Sequence, residues 1–388
     1  MRELYPLYLA VFVAVLGFSL VAPIFPAYAM NLGASYTMLG VIVSIYGAVQ
    51  LITQVPVGRL SDRTGRKRIM LLGLAAFTIL PPLYIHADNA YFLLAVRSLG
   101  GLGASAVWPI AMALIVDRAD SKSRGAAMGW YNASFFSALA LGPLMGGYLY
   151  EQLGLYAPFY LWSLLGAASL IIVYWQVAEP EKIRLQVGLD LPRKEGQLIA
   201  TGYGVTFLAC CSVVLWSGVV GGFNFTMLPS FAAGLGFTAT DVGLIYLVYG
   251  GSTALFNIYF GRQSDRGSRR WLIFAGCLAG AVCFAMLDAA ESLSLVALLF
   301  AGLGMGLGMA GPAAAALIAD TTCAERRGEV YGIFNTSRMA GVVAGPLLAG
   351  VAADMHGVGG AVAVFAVLAA VITLAALLVK DSGETMPI

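Results

Sequence analysis

Two arginines stand inside long apolar runs, and their type and position restrict the chemistry that this chain could perform. Arg97 lies about seven residues into one run, and Arg338 lies about eight residues into another. At a rise of 1.5 Å per residue, each lies roughly 10–12 Å deep in a helix. A guanidinium stays protonated at any relevant pH, so it can bind an anion but cannot carry a proton. The alternative is that either long side chain extends to the nearer helix end and reaches water.

The runs that hold these arginines are membrane-spanning in length and composition. The chain has 388 residues, of which 60% are hydrophobic and only 11% are charged, and a soluble domain does not have such a composition. A bilayer core needs about 20 apolar residues per helix. We predict an all-α membrane protein with twelve transmembrane helices, at 6–30, 36–58, 69–86, 90–116, 126–150, 157–177, 203–233, 240–261, 271–289, 292–319, 330–353 and 358–379.

Basic residues mark one side of the predicted membrane. Apart from Arg97 and Arg338, all of the 22 Lys and Arg lie at the N-terminus, in even-to-odd connections or in the tail. Acidic residues such as Asp88, Glu151 and Asp354 lie on the opposite side. Because cytoplasmic loops carry an excess of Lys and Arg, we predict an integral membrane protein of the prokaryotic cytoplasmic (inner) membrane, with both termini in the cytoplasm.

An internal repeat with a constant offset of 203 residues runs through the chain. It relates Asp62 to Asp265 and Pro109 to Pro312, for example. Six spans separate equivalent positions, so the two halves have the same membrane orientation, as in a parallel repeat. We predict two six-helix bundles, at 1–177 and 199–388, joined by a cytoplasmic linker at 178–198.

The loop between spans 2 and 3 reads Gly58-Arg59-Leu60-Ser61-Asp62-Arg63-Thr64-Gly65-Arg66-Lys67-Arg68. By itself it could be a basic anchor at the anionic leaflet. It closely resembles the G-x-L-a-D-r-x-G-r-k-r signature of the major facilitator superfamily, a family whose helix count and repeat also match this chain. The resemblance implies a gating latch between the halves, formed by Gly58, Asp62, Arg63, Gly65 and Arg66 and by their echo Gly261, Asp265 and Arg266.

Spans 4 and 5 carry two further patterns, Leu93-x-x-x-Arg97-x-x-x-Gly101-x-Gly103 and Gly129-(x8)-Ala138-(x3)-Gly142-Pro143-x-x-Gly146-Gly147. Both resemble motifs of the family's twelve-helix drug:proton antiporter branch, although Gly100 replaces the usual polar residue and Ala138 a glycine. The resemblance implies efflux and a coupling role for Arg97. Close helix packing is the alternative reading of each glycine. The motif residues of spans 5 and 11 are Gly129, Gly142, Pro143, Gly146, Gly147, Gly345, Pro346 and Gly350.

Polar and aromatic side chains within the spans are candidates for substrate contacts, although helix packing explains each of them equally well. All twenty acidic residues map to loops or helix ends, so the predicted cavity is net positive. Aromatic walls with few polar groups suit an amphiphilic ligand. The candidates are Arg97, Arg338, Tyr46, Gln50, Trp108, Asn132, Asn224, Tyr246, Tyr249 and Asn335.

The leading hypothesis is a secondary transporter that exports small amphiphilic compounds by alternating access, with the proton coupling that the resemblance implies. Candidate titrating groups are Asp62, Asp117 and Asp320. The alternatives are export or facilitated movement of an anionic metabolite or lipid and, outside transport, a membrane sensor. No His-Glu-x-x-His pattern or phosphate-cradling loop is present, so we expect neither an enzyme nor a metal or cofactor. We expect small-molecule and lipid partners, no nucleic acid, and a functional monomer.

Overall fold

The computed structural model describes residues 4–119, 123–179, 199, 203–264, 267–322 and 326–381. Over these residues the fold is all-helical, as predicted from the sequence. The helices are α1 Tyr5–Ser19, α2 Phe25–Asn31, α3 Tyr36–Thr64, α4 Arg66–Ile85, α5 Ala90–Arg118, α6 Arg124–Leu153, α7 Ala157–Gln176, α8 Gly204–Thr226, α9 Leu228–Gly234, α10 Ala239–Ser264, α11 Arg269–Leu287, α12 Leu293–Thr321 and α13 Arg327–Ala376.

The thirteen helix ranges differ from the twelve predicted spans at three places in the chain. The spans at 6–30 and 203–233 are each interrupted, giving α1 with α2 and α8 with α9. The two interruptions are equivalent in the repeat, and a proline stands in the first turn of α2 (Pro26) and of α9 (Pro229), where no intrahelical N–H bond is lost. The last two spans both lie within the range of α13, but the backbone at Gly357 is not helical (φ 75°, ψ 175°) and separates them into two helical segments.

The bilayer explains why apolar runs become helices, since an unpaired backbone group in lipid is costly and a helix satisfies its own. Nine helices of the described part are long and apolar enough to cross a membrane. Several begin with a polar N-cap: the side chains of Ser35, Asn89 and Ser292 accept hydrogen bonds from backbone N–H groups three residues later, at 3.0–3.3 Å. Such caps fix the points at which the chain re-enters the bundle.

The bundle has two chemically different ends. The basic end is where α4 begins at Arg66 and α11 begins at Arg269, and the acidic end is where Glu151, Asp241 and Asp354 lie. We call α1–α7 the N-terminal half and α8–α13 the C-terminal half. The linker and the exact domain limits stay predictions, because residues 180–198 lie outside the described part.

The two halves pack closely at the acidic end, where α3 contacts α13 and α6 contacts α10. A Cβ atom on Gly147 would overlap the carbonyl oxygen of Ala239, and one on Gly350 would overlap that of Tyr36. Gly147 and Gly350 are equivalent in the repeat, so the same close approach is made twice. Small residues allow this because two helix backbones can then touch directly.

Toward the basic end the same helices leave free space. A Cβ atom on Gly58 of α3, Gly129 of α6 or Gly332 of α13 would have no neighbouring atom within 4 Å beyond its own helix. The halves therefore meet at one end and diverge toward the other, and a cavity lies between them.

Candidate functional site

The cavity between the halves has a volume of about 660 Å³, which falls within the range of drug-sized ligand sites. Its walls come from α1, α3, α5 and α6 of the N-terminal half and from α8 and α13 of the C-terminal half. Of the ten predicted substrate and coupling residues, seven line it: Tyr46, Gln50, Arg97, Trp108, Asn132, Asn335 and Arg338.

The other three predicted residues lie away from the cavity wall. Asn224 is buried in α8, and its carbonyl oxygen accepts a 2.6 Å hydrogen bond from the Tyr246 hydroxyl. The ring of Tyr249 packs edge-on against Phe300 with centroids 6.2 Å apart. The side chains of Tyr246 and Tyr249 thus join helices of the C-terminal half in this conformation, whereas the amide atoms of Asn224 are buried without a hydrogen-bond partner.

Sequence reasoning missed several lining residues, and the bulkiest of them are aromatic. Periodicity offered one signal, since Gln54 follows Gln50 by one helical turn and therefore shares its face. The phenylalanines carried no signal that separates a cavity wall from a lipid-facing surface. The missed residues include Phe18, Gln54, Phe135, Phe136 and Phe225.

Arg97 is almost completely buried, with 1% of its surface exposed. Its guanidinium carbon lies 3.9 Å from the ring centroid of Phe25 and 5.4 Å from that of Phe225. Three more rings, those of Phe18, Tyr46 and Tyr84, lie at 5.8 Å. Aromatic faces attract a cation, by about 2 kcal/mol or more when the pair is desolvated. We call these five rings the aromatic cage.

The aromatic cage holds the charge of Arg97 without neutralising it. The Nε and Nη2 atoms of Arg97 are buried and have no hydrogen-bond partner. Four rings belong to the N-terminal half, whereas Phe225 belongs to α8 of the C-terminal half. Arg97 is therefore a lining residue whose surroundings are built by both halves, and two of its N–H groups are left to be satisfied.

Arg338 is placed differently. It lies half-buried on α13, and its Nε donates a long 3.4 Å hydrogen bond to Asn335 Oδ1. None of the described residues that line the cavity is acidic. Two guanidinium groups thus face one cavity with no carboxylate in its wall, so the field inside it is positive. Arg97, which is buried among the rings of the aromatic cage, does not extend to the nearer helix end to reach water.

The predicted gating loop is tied to its own half. Arg66 donates to Asp62 at 3.1 Å and also pairs with Asp117 of α5. The repeat reproduces the second pair as Arg269 with Asp320. Gly65 has a φ of 113° at the reversal between α3 and α4, a conformation that favours glycine.

Of the other loop residues, those within the described part, such as Arg63 and Gly261, show no contact that joins the halves. Arg63 is exposed, and the nearest atom to a Cβ on Gly261 is Cβ of Pro312, 4.0 Å away in the same half. Asp265 and Arg266 lie outside the described residues.

The motif of spans 5 and 11 is a packing surface in this conformation. A Cβ atom on Gly142 or Gly146 would overlap α1, and one on Gly345 would overlap α8. The carbonyl of Pro143 faces Gly243, and that of Pro346 faces Gly40, across the contact between the halves. The motif therefore lets helices approach both within a half and between halves, whereas Gly129 borders open space.

Comparisons with known proteins agree with this architecture. The Quinolone resistance protein NorA of Staphylococcus aureus is 26% identical over 360 residues, covering 92% of this chain and 91% of that protein. The Inner membrane transport protein YajR of Escherichia coli is 27% identical over 347 residues, covering 86% and 74%. A solved bacterial homologue of the human lysosomal transporter Spinster, inward-facing and occupied, superimposes with a TM-score of 0.80 at 15% identity, covering 97% of this chain and 96% of that chain.

The sequence model described as Major Facilitator Superfamily matches residues 7–228 and 205–387, one match for each half. The duplicated match agrees with the 203-residue repeat and with the equivalent helix breaks. The family and these relatives are integral membrane transporters and not enzymes. This chain belongs to the Major Facilitator Superfamily.

Proposed function

We propose that this chain exports small amphiphilic compounds by alternating access of the central cavity. The observation that carries the proposal is the 660 Å³ cavity, which is lined by both halves and lies where α3 and α13 separate. Its wall combines aromatic and aliphatic side chains with a few polar groups, a lining that suits an amphiphile. Access then alternates because the helix pairs that meet at the acidic end can part while the basic end closes.

Orientation and direction belong to the same proposal. The basic end faces the cytoplasm, because Lys and Arg are retained on that side. The chain is then open to the cytoplasm in this conformation, ready to take up a compound from inside. Similarity to a quinolone resistance protein supports export, since a transporter can confer resistance by removing the compound from the cell.

A second candidate substrate is an anionic metabolite or lipid. It is favoured by Arg97 and Arg338, which face the cavity with no acidic lining residue among those described. A guanidinium with two unpaired N–H groups can donate both of them to a carboxylate or a phosphate. An amphiphile with a negative group is compatible with both candidate substrates. Its charged group can bind the arginines, and its apolar part can pack against the aromatic wall.

Proton coupling is the least direct part of the proposal. The cavity arginines cannot carry the proton, since they stay charged. Asp62, Asp117 and Asp320 lie at the basic end, where each is engaged by Arg66 or Arg269. A coupled proton would have to bind one of these carboxylates and so break its ion pair with the arginine during the cycle. Function as a monomer within the lipid bilayer completes the proposal.

The test is transport by purified protein in proteoliposomes. An amphiphilic fluorescent carboxylate should be taken up in a saturable manner, faster when a proton gradient is imposed, and empty liposomes provide the control. Saturable flux separates a transporter from a membrane sensor, which would bind the compound without moving it. Binding without any flux, with or without the gradient, would refute the proposal.

Orientation has its own assay, in cells. A cysteine replacing Asp88 should react with an impermeant thiol reagent from outside, and one replacing Arg68 should not. The opposite labelling pattern would reverse the direction that we propose.

A further inference from the structure

The acidic end carries a pair of hydrogen-bonding contacts that the sequence repeat duplicates. Asp354 of α13 accepts hydrogen bonds from two backbone N–H groups at the start of α3: Oδ1 from Tyr36 at 3.0 Å and Oδ2 from Thr37 at 2.8 Å. Glu151 of α6 accepts one from the N–H of Thr240 at the start of α10, at 2.7 Å through Oε1.

These contacts are related by the same 203-residue offset as the rest of the chain. Glu151 is equivalent to Asp354, and Thr37 is equivalent to Thr240. Each carboxylate belongs to one half, and the helix that it caps belongs to the other half. The arrangement is therefore reciprocal: the N-terminal half caps α10, and the C-terminal half caps α3.

Helix starts need such partners, because the first N–H groups of a helix have no acceptor within it. In α3 the cap within the helix, Ser35, satisfies only the N–H of Met38. In α10 the equivalent residue, Thr238, accepts from the N–H of Asp241 at 3.2 Å. The carboxylates from the opposite half supply acceptors that the local sequence does not.

Charge adds to the hydrogen bonds. A helix start carries a partial positive charge that favours a nearby carboxylate, and the loops of this end contain no Lys or Arg that could compete for it. Glu151 lies beyond the predicted span at 126–150. Desolvation raises its pKa, but the hydrogen bonds from Thr240 and Thr238 outweigh this effect, so the pKa lies below its usual value. The ionised form is the one that these contacts favour.

We propose that Glu151 and Asp354 are reciprocal caps that hold the acidic end closed and so set the balance between the two access states. Opening that end requires α3 to leave α13 and α10 to leave α6, which breaks the hydrogen bonds of both carboxylates, including the three from backbone N–H groups. The close approaches at Gly147 and Gly350 bring the backbones together, and the caps act on the first turns that these glycines contact. The two carboxylates are positioning residues for the transport cycle.

The experiment measures how often α3 and α13 separate. All five native cysteines are replaced by serine, and Ser44, which is buried and donates a 2.6 Å hydrogen bond to the carbonyl oxygen of Val343 on α13, is changed to cysteine in every protein. The rate at which a thiol reagent labels Cys at position 44 in nanodiscs then follows the population in which the helices have parted.

Glu151→Ala and Asp354→Ala should each raise the labelling rate. Loss of a helix N-cap shifts an equilibrium by roughly 2- to 30-fold, and the effects multiply in the double variant if the two sites act independently. Asp354→Asn should give a smaller increase, because one amide oxygen can replace only one of the two carboxylate oxygens. Glu151→Gln should give the smallest, because the single bond needs only one acceptor. These two variants keep the test valid if an alanine variant fails to fold.

Asn89→Ala is the matched control. It removes the N-cap of α5 at the same end of the bundle, but Asn89 accepts from the N–H of Phe92 in its own helix, so this cap does not cross between the halves. We expect Asn89→Ala to lower thermal stability while leaving the labelling rate unchanged. Equal labelling rates in the wild-type background and in both carboxylate variants would overturn the proposal, as would an equal increase in Asn89→Ala. The inference rests on the proposed alternating access, but the assay contains no substrate, so failure of the caps and failure of the transport assay are distinguishable.

Discussion

The cavity wall holds two arginines, Arg97 and Arg338. The sequence places both at a similar depth in an apolar run, but the structure gives them different surroundings. Arg97 is sealed within five aromatic rings with 1% of its surface exposed, whereas Arg338 is half-buried and makes one long hydrogen bond to Asn335. The electric field of Arg97 is little screened because the guanidinium is shielded from water, and the surrounding rings restrict the movement of the side chain. A half-buried charge is screened more strongly and is free to follow a ligand.

This difference assigns different tasks to two chemically identical side chains. Arg97 is contacted by Phe225 from the opposite half, so its surroundings must change when the acidic end opens. The side chain of Arg338 is hydrogen-bonded to Asn335 of its own helix, so its surroundings depend more on the ligand. We infer that Arg97 links occupancy of the cavity to the conformational change and that Arg338 selects the ligand.

The largest effect is expected from Arg97→Ala. It should reduce transport of every substrate to background, because it removes a buried charge that aromatic rings of both halves surround. Arg97→Lys should recover only part of the activity, since an ammonium retains the charge but not the planar fork. Initial rates in proteoliposomes measure both. Wild-type rates in Arg97→Ala would show that the caged charge has no part in the cycle.

Arg338→Ala should discriminate between ligands. We expect binding of an anionic or zwitterionic amphiphile to weaken by about 1.5–3 kcal/mol, the contribution of a hydrogen bond to a charged group, with little change for a neutral analogue. Calorimetry on purified protein with both ligands provides the measurement. An equal loss of affinity for the two ligands would mean that Arg338 contributes to the shape of the cavity but does not discriminate between ligand charges.

Phe225→Leu tests the link between Arg97 and the opposite half. The substitution keeps an apolar side chain but removes a ring face 5.4 Å from the guanidinium carbon, so we expect a shift of about 0.5–1 kcal/mol toward the state in which the halves have parted at the acidic end. Phe136→Leu, which lines the same cavity outside the aromatic cage, is the control. Spin-label distances across the acidic end should change in the first variant alone.

Asn335→Ala should have the smallest effect. A hydrogen bond of 3.4 Å is weak, so freeing the Arg338 Nε should alter anion affinity by less than about 1 kcal/mol. A loss as large as that of Arg338→Ala would show that Asn335 itself binds the ligand.

The fold followed from the sequence more completely than the site did. Apolar length predicted the helices, and the 203-residue offset predicted two halves of the same orientation. The breaks within the first and seventh spans were missed, although Pro26 and Pro229 stand beside them, because a broken helix retains the same apolar run. The division between the last two spans was predicted, because the backbone leaves the helical conformation at Gly357, between 330–353 and 358–379.

Depth in the membrane can be counted along a sequence, but rotation about a helix axis cannot. The predicted cavity residues Asn224, Tyr246 and Tyr249 therefore point elsewhere, while Phe135 and Phe225 take up wall positions. The contacts of Glu151 and Asp354 depend on which end of the bundle is closed. No local pattern encodes that state, although the repeat relates the two residues.

Ligand charge tests the central claim most directly. Two amphiphiles that share one aromatic skeleton, one ending in a carboxylate and the other in a quaternary ammonium, are titrated into the purified wild-type protein. The two unpaired N–H groups of Arg97, with Arg338 beside the same cavity and no acidic lining residue among those described, predict that the carboxylate binds more tightly. Tighter binding of the ammonium compound would contradict the account of the cavity given above.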